Sequence, residues 1–251
     1  MVMRPVIPSL AATMDEDRLW LPRTVHMNSP THRILWLRRP ARLAVSSTAW
    51  IPPCDLGVID QTWSLLCERN PRLVDGPCWH VTAVQRDGHG GATIHVVQTT
   101  YRMSAVRTLG VASGYRGLGV KAIAHLHGRC LVGRRAMTCA TYPGAWEFAP
   151  GGSAEPGENP SIGIVRELME ECAVAAAAPA RQQALLFDQV AGNWEIVHGI
   201  ELAGEPDAPP NWEYTELRLV DLSDMPSPVS PCTHAMREIA DRVTRHDRPI
   251  R

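Results

Sequence analysis

The sequence of 251 residues lacks the features that mark several specialised classes of protein. It contains no apolar run near the length of about 20 residues that a transmembrane helix needs, and its first residues lack the apolar core of a secretion signal. Its net charge is −1 at pH 7, so no excess of basic groups would attract nucleic acid or an anionic membrane. We therefore expect a cytoplasmic protein that binds neither nucleic acid nor a membrane.

Lysine and paired cysteines are also scarce. Lys121 is the only lysine among 25 basic residues, a bias that we attribute to genome base composition. The seven cysteines are odd in number, and no two of them form a C-x-x-C pair. This pattern argues against a disulfide framework or a zinc site and favours reduced thiols. We expect Cys172 to be a small buried filler.

The patterns that are present divide the chain into three zones. Residues 1–50 are rich in proline and arginine without a sustained period, which indicates an extended or loosely ordered segment. Residues 51–112 form an N-terminal subdomain, with a helix predicted over Asp55–Glu68 and a β-hairpin predicted from the alternating runs Cys78–Arg86 and Ala92–Thr99. Residues 113–251 form the main domain.

The main domain mixes predicted strands and helices, which favours an α+β sandwich. We expect one helix that begins near Pro160 and a terminal helix over Thr233–Thr244. The four predicted strands are Val120–His127, Cys130–Arg134, Trp194–Leu202 and Tyr214–Asp221.

The most informative stretch lies between Gly152 and Glu171. On a helix Glu167, Glu170 and Glu171 share one face, because they stand at i, i+3 and i+4. Three acids on one face repel one another unless a counter-charge is present. Mg²⁺ is a suitable one, since it binds carboxylate and phosphate oxygens. Together with the preceding loop, this pattern predicts a metal-assisted site that acts on a phosphoanhydride.

The same residues resemble the signature of the Nudix hydrolases, a glycine and four glutamates at fixed spacing around Arg-Glu. One position departs from the signature, because Ala173 stands where the family has a glycine at the helix end. An alanine there is costly only if the turn requires a positive φ. The matching residues are Gly152, Glu158, Arg166, Glu167, Leu168, Glu170, Glu171 and Val174.

The resemblance implies a Nudix α/β/α sandwich over residues 113–251 and a catalytic set that comprises Glu158, Arg166, Glu167, Glu170 and Glu171. Glu170 and Glu171 are expected to bind the metal with the carbonyl of Gly151 or Gly152, and Glu167 to be a ligand or the general base. Arg166 and Glu158 are expected to form an ion pair. The cofactor is expected to be Mg²⁺, with Mn²⁺ as the alternative.

Other residues are weaker candidates. The base is alternatively Glu213 or Glu216, from a later loop. Arg134 is a candidate for binding phosphate and Trp146 for stacking on a base, with a strand edge and core filling as their structural alternatives. Tyr101 and Arg102 are candidates for contacting substrate, or for a structural role at a strand end.

The substrate is expected to be a small nucleoside diphosphate derivative. Segments 70–77, 98–102 and 212–214 loosely resemble the enzymes that hydrolyse UDP-glucose and UDP-galactose, which implies cleavage of a UDP-sugar to UMP and a sugar 1-phosphate. The alternatives are ADP-ribose, NADH or a modified nucleotide as substrate, a non-catalytic nucleotide sensor and, more remotely, an isomerase. Retention of all four glutamates favours an enzyme, which the family implies to be a monomer or homodimer.

Overall fold

A computed structural model describes residues 32–207 and 211–245, which belong to one compact unit. Within these residues the chain forms eleven strands and four α-helices. The strands are β1 (His32–Trp36), β2 (Arg42–Ser46), β3 (Pro77–Arg86), β4 (Ala92–Thr100), β5 (Leu118–Leu126), β6 (Arg129–Arg135), β7 (Trp146–Phe148), β8 (Gly151–Ser153), β9 (Arg181–Asp188), β10 (Asn193–Glu201) and β11 (Tyr214–Val220). The helices are α1 (Leu56–Arg69), α2 (Arg102–Ala105), α3 (Pro160–Cys172) and α4 (Pro231–Arg245).

The larger sheet of the described residues has eight strands, seven of them from residues 113–251 and the eighth, β1, from the segment 1–50. Six of its strands follow the order β1-β9-β10-β5-β6-β11, while β7 pairs with β6 and β8 pairs with β5. The central pair β5–β10 is parallel, and the other pairs are antiparallel. The short strand β8 therefore brings the start of the signature loop directly beside β5.

One α-helix covers each face of this sheet. Ile164, Leu168 and Cys172 of α3 are buried in one apolar cluster with alternate residues of β5 and β10. Met236 and Ile239 of α4 are buried in a second cluster on the opposite face. The α/β/α sandwich is confirmed, and Cys172 is a buried filler as expected.

A second sheet of three strands, in the order β2-β4-β3, carries the N-terminal subdomain. The predicted helix is confirmed as α1, which begins after Asp55, whose Oδ1 accepts a 2.6 Å hydrogen bond from the Gly57 N–H. The predicted hairpin is confirmed as β3 and β4, which pair antiparallel. Burial of Val81 and Ile94 against the α3 cluster joins this subdomain to the main domain.

Part of the segment 1–50 lies within the described residues. His32–Trp36 is the edge strand β1 of the central sheet, paired with β9, and Arg42–Ser46 is strand β2, paired in parallel with β4. The prediction for residues 1–31 lies outside the described residues.

Two further features were not predicted from the sequence. Strand β9 was overlooked, although it supplies Leu185 and Leu186 to the core, and so was the short helical stretch from Arg102 to Leu109. In the part of the chain that the structure describes, no helix has both the length and the apolar character needed to cross a bilayer.

Candidate active site

Helix α3 presents the signature acids and has a defined start and end. Asn159 caps its first turn, where its Oδ1 accepts a 2.9 Å hydrogen bond from the Ser161 N–H, and Pro160 takes the first helical position, which needs no N–H. The helix ends at Ala173, whose φ of 50° lies in the left-handed region. The turn at this position therefore does require the positive φ that glycine adopts without strain.

The three acids on the helix differ in exposure. Glu171 is only 6% exposed, and the side chain of Glu167 is 14% exposed, whereas that of Glu170 is 56% exposed. Glu167 and Glu171 therefore lie against the sheet and the signature loop, and Glu170 lies at the solvent side of the same face.

Arg166 fastens the signature loop to the helix. Its Nε donates a hydrogen bond to Glu158 Oε1 and its Nη2 donates one to Glu158 Oε2. Both bonds are 3.2 Å long, so the predicted ion pair is present. Its Nη1 also donates to Glu170 Oε2 over 2.9 Å, and its Nη2 lies 3.1 Å from Glu167 Oε1. Hydrogen bonding to Glu158 and these charges raise the pKa of Arg166 above its ordinary value. Glu170, predicted as a metal ligand, is thus bound to Arg166 here.

The signature glycine makes room for Glu167. A Cβ atom at Gly152 would lie 2.6 Å from Glu167 Oε1, closer than non-bonded atoms approach. Burial raises the pKa of Glu167, an effect that the charge of Arg166 opposes and that of Glu170 reinforces. Glycine at 152 thus allows a half-buried carboxylate to reach the β8 main chain.

Glu171 lies in surroundings that disfavour its ionised form. Its Oε2 is buried and has no hydrogen-bond partner among the described residues. Burial raises its pKa to about 9, and the negative charges of Glu213 and Glu167 add to the shift, while the amide of Gly151 partly offsets it. The positive charge of Lys121 also lowers this pKa, but burial and the two neighbouring carboxylates outweigh it, so the ionised form of Glu171 is under-compensated.

A divalent cation fits this arrangement. It would add positive charge beside Glu171, and Glu171, Glu167 and the carbonyl of Gly151 are oxygen ligands of the kind that Mg²⁺ binds. No three Asp, Glu, His or Cys side chains within residues 32–207 and 211–245 are grouped closely enough to hold a metal alone. Mg²⁺ sites commonly use one or two carboxylates and take the remaining ligands from water and substrate phosphate.

A buried network of charges, overlooked in the sequence, lies beside these acids. Lys121 Nζ donates to Glu147 Oε2 over 3.1 Å, and Arg135 Nη1 bridges Glu147 Oε1 and Glu213 Oε1 at 2.6 Å each. The hydroxyl of Tyr214 donates to Glu147 Oε1 over 3.2 Å. Burial would raise the pKa of Glu147, but the charges of Lys121 and Arg135 outweigh it and hold that pKa below its ordinary value.

The network reaches the signature loop at Gly151, where a Cβ atom would lie 3.0 Å from Lys121 Nζ. Its signal in the sequence was the sole lysine, which stands in a strand that is apolar apart from His125, and Glu147 between two buried aromatic residues. Glu213 is thus the late-loop acid that lies in the site. Glu216 instead accepts a hydrogen bond from Arg218 Nε.

The candidate substrate-binding residues lie elsewhere in the fold. Trp146 is 4% exposed in the α4 cluster with the guanidinium of Arg218 4.9 Å from its ring, so core filling describes its placement better than base stacking. Arg134 is exposed on β6, and its carbonyl accepts a hydrogen bond from Thr215 Oγ1.

Tyr101 and Arg102 lie in the N-terminal subdomain. Arg102 Nη1 donates to Asp60 Oδ1 over 2.9 Å, and its main-chain N–H donates to Asp75 Oδ1 over 2.8 Å. Tyr101 packs edge-on against Trp63, with 6.2 Å between the ring centroids. These contacts join α1, the following loop and α2, and a role in binding substrate stays a prediction.

Comparison with known families agrees with the geometry around α3. The sequence profile of the NUDIX domain matches residues 117–242, which is half of the chain and includes every signature residue. The chain belongs to the Nudix family. Its α/β/α sandwich is the Nudix fold, and the N-terminal subdomain precedes the matched region. Nudix hydrolases as a family use divalent metal ions such as Mg²⁺.

Solved structures with which the Nudix domain aligns include a MutT NUDIX hydrolase from Burkholderia pseudomallei, at 25% identity over 48% of this chain and 95% of that one (TM-score 0.41). An ADP-ribose pyrophosphatase from Streptococcus suis aligns at 17% identity over 53% and 93% (TM-score 0.38). A UDP-X diphosphatase aligns at 18% identity over 57% and 71% (TM-score 0.37). A search of curated proteins finds no match.

Proposed function

We propose that this Nudix protein is a metal-dependent pyrophosphatase that cleaves a nucleoside diphosphate linked to another group, and that the substrate is a UDP-sugar cleaved to UMP and a sugar 1-phosphate. The observation that carries the proposal is the buried carboxylate of Glu171, on which the negative charges of Glu213 and Glu167 act and whose Oε2 is unpaired among the described residues. An enzyme that binds a cation and a pyrophosphate there would satisfy that oxygen.

The residues divide the chemistry between them. Glu171 and the Gly151 carbonyl would hold the metal, with Glu170 available if it leaves Arg166, and Glu167 would be either a further ligand or the general base. When bound, a divalent ion neutralises charge on the pyrophosphate and makes a water molecule more acidic. The water oxygen attacks one phosphorus, the bond from that phosphorus to the bridging oxygen breaks, and a carboxylate takes the proton of the water. Glu167 is our candidate for that carboxylate, because burial already raises its pKa.

Arg166 and Glu158 act on position rather than on the reacting atoms. Their two hydrogen bonds hold the signature loop against α3 and so fix Gly151 and Gly152 relative to Glu167 and Glu171. The Arg135–Glu213 pair similarly holds the late loop beside the acids.

The choice of UDP-sugars depends on the loose resemblance of segments 70–77, 98–102 and 212–214 to enzymes of that specificity. A product assay tests it: UDP-glucose, UDP-galactose, ADP-ribose and NADH are incubated with the protein, with Mg²⁺ or with a chelator, and the released nucleotide is identified by chromatography. We expect metal-dependent UMP from the UDP-sugars. AMP from ADP-ribose or NADH alone would keep the mechanism and reject the substrate. Tight binding without any cleavage would indicate a sensor.

Glu171→Gln tests the metal site itself. We expect turnover to fall by at least a thousandfold with the fold intact, because an amide retains the shape but not the charge that binds the ion. Glu205→Gln is the matched control, since Glu205 is 72% exposed and pairs with Arg129 on the surface. Near-normal activity of Glu171→Gln would refute the assignment.

Thermal unfolding gives a readout that does not need activity. Mg²⁺ that binds the folded state raises its stability by mass action, so we expect the Tm of the wild type and of Glu205→Gln to rise with millimolar Mg²⁺. The Tm of Glu171→Gln should not change when Mg²⁺ is added. An equal rise in all three proteins would place the ion elsewhere.

A further inference from the structure

Two loops meet beside the acids of the site. One follows β6 and contains Met137; the other precedes β11 and contains Trp212. The Ala136 N–H donates to the carbonyl of Glu213 over 2.8 Å, so the main chains of the two loops are directly bonded. The thiol of Cys139 adds a 3.5 Å contact to the same carbonyl. Past the end of the β6–β11 ladder, the loops thus continue side by side.

Both loops present a large apolar side chain to solvent. Met137 is 76% exposed and Trp212 is 75% exposed. Exposure of a single apolar residue is common and does not by itself indicate a function. Trp212 differs because, of the tryptophans in the described part of the chain, it is the only one that is exposed; the others are buried or half-buried.

The main chain around Trp212 is fixed in place by Asn211. Asn211 Oδ1 accepts hydrogen bonds from the N–H groups of Glu213 (2.9 Å) and Tyr214 (2.7 Å). Its Nδ2 donates to the main-chain carbonyl of Glu171 over 2.8 Å. Asn211, before Trp212, is therefore bonded to the end of the signature helix. Glu213, after Trp212, is bonded both to Asn211 and to the loop that follows β6.

Trp212 is also adjacent to the site in distance. Its Cα is one peptide, about 3.8 Å, from that of Glu213. The carboxylate of Glu213 lies 2.6 Å from Arg135 and close enough to Glu171 to act on its charge. The exposed ring thus belongs to a residue whose main chain is fixed directly beside Glu213, and no protein group of the described residues covers most of its surface.

We propose that Trp212 is the platform on which the base of the nucleoside diphosphate stacks, with the thioether of Met137 as the neighbouring apolar wall. This inference rests on the proposed function, since it needs a nucleotide whose pyrophosphate lies at Glu167 and Glu171. An aromatic ring stacks on any nucleobase, because every base has a π face. A methionine sulfur adds a polarisable contact that adapts to different shapes.

Stacking on a pre-positioned ring binds substrate and transition state alike, because the base does not change during cleavage of the pyrophosphate. The loss of such an interaction raises KM and leaves kcat unchanged. Since stacking does not read the edge of the base, the same change should affect uridine, adenosine and guanosine substrates by similar factors.

The experiment compares wild type, Trp212→Ala and Trp212→Phe in steady-state kinetics with UDP-glucose, ADP-glucose and GDP-glucose in Mg²⁺. We expect Trp212→Ala to raise KM roughly 5- to 100-fold for each substrate that is cleaved, with kcat within about twofold. Trp212→Phe should restore most of the affinity, because it keeps an aromatic face. Ile51→Ala is the control, since Ile51 is 81% exposed in the N-terminal subdomain, and it should behave as wild type.

Two results would overturn the proposal: a KM of Trp212→Ala within twofold of wild type, or a fall in kcat without a change in KM. If the wild type cleaves none of these substrates, the proposed function fails separately, and calorimetric titration with UDP and ADP then tests Trp212 alone. Weaker binding by Trp212→Ala than by wild type would support the platform, and equal binding would refute it.

Discussion

At the scale of single residues, the end of helix α3 shows how one substitution can be structurally costly and chemically silent. Ala173 occupies the signature glycine position and adopts φ 50°. For an L-residue other than glycine, the left-handed region brings Cβ against the backbone. No atom of Ala173 contributes to the site, so the cost of this conformation affects stability alone.

Ala173→Gly is therefore expected to increase the free energy of unfolding by about 1 kcal/mol, because the strain removed exceeds the added entropy of the unfolded chain. Urea denaturation followed by circular dichroism measures the change, and kcat should stay as in wild type. Ala175→Gly is the control, because Ala175 is not in the left-handed region and glycine there should give no gain. Equal stabilisation by both variants would contradict the argument.

At the scale of elements, buried charges join strands that are far apart in sequence. Lys121 on β5 binds Glu147 on β7, and Arg135 at the end of β6 binds both Glu147 and Glu213 beside β11. Removing one partner of a buried pair leaves a charge without compensation, which costs more than the pair contributes when it is intact. The network therefore determines how β5, β6, β7 and the late loop are positioned.

Lys121→Met tests this coupling, and we expect it to lower the free energy of unfolding by about 3 kcal/mol. The double variant Lys121→Met/Glu147→Gln should lose less than the sum of its single changes, because the second substitution removes the uncompensated charge. Arg129→Met is the control, since its pair with Glu205 is exposed and should contribute less than about 1 kcal/mol. Additive losses in the double variant would show that the charges do not interact.

The elements that could be predicted are those whose determinants are local. Helix α3 has a cap, a proline and a spaced acidic pattern all between Asn159 and Glu171, and the β3–β4 hairpin has alternation around a glycine-rich turn. Strands β1, β2 and β9 were not predicted as strands of particular sheets. Their pairing depends on partners that are distant in the chain, such as Leu35 opposite Leu185.

The candidate site divides in the same way. Glu158, Arg166, Glu167 and Glu171 could be named because their spacing is fixed within one loop and one helix. The Lys121–Glu147 pair spans 26 positions and the Arg135–Glu213 pair spans 78, so no local pattern marks them. The deep burial of Trp146 likewise follows from α4, which packs on it from the other end of the sequence.

At the scale of the whole molecule, a neutral histidine in the interior makes the stability of the fold depend on pH. His198 on β10 is fully buried; its Nδ1–H donates to the Ile196 carbonyl, which leaves Nε2 to accept from the Ser161 hydroxyl at 3.1 Å. Burial lowers the pKa of His198 from 6.5 to about 4. Between these values the unfolded chain binds a proton that the folded protein excludes, so stability falls as the pH falls from 6.5 towards 4.

We expect His198 to account for roughly 1–2 kcal/mol of the stability lost between pH 7 and pH 5. Urea denaturation at both pH values measures the loss in wild type and in His198→Asn, which should lose less by that amount. His89→Asn, a change at an exposed histidine, should retain the wild-type difference. If His198→Asn shows the same acid sensitivity as wild type, the histidine is not the group that titrates.

The pairing of β1 with β9 also sets an order of events during synthesis. The partner of His32–Trp36 is translated about 150 residues later, and β9 joins the sheet through β10, which follows it. At about 5–20 residues per second, β1 leaves the ribosome roughly 8 to 30 s before its partner does. A nascent chain stalled before residue 181 would therefore expose the sequence Arg33-Ile-Leu-Trp36 to proteases and chaperones, and its protection would report that the domain is complete.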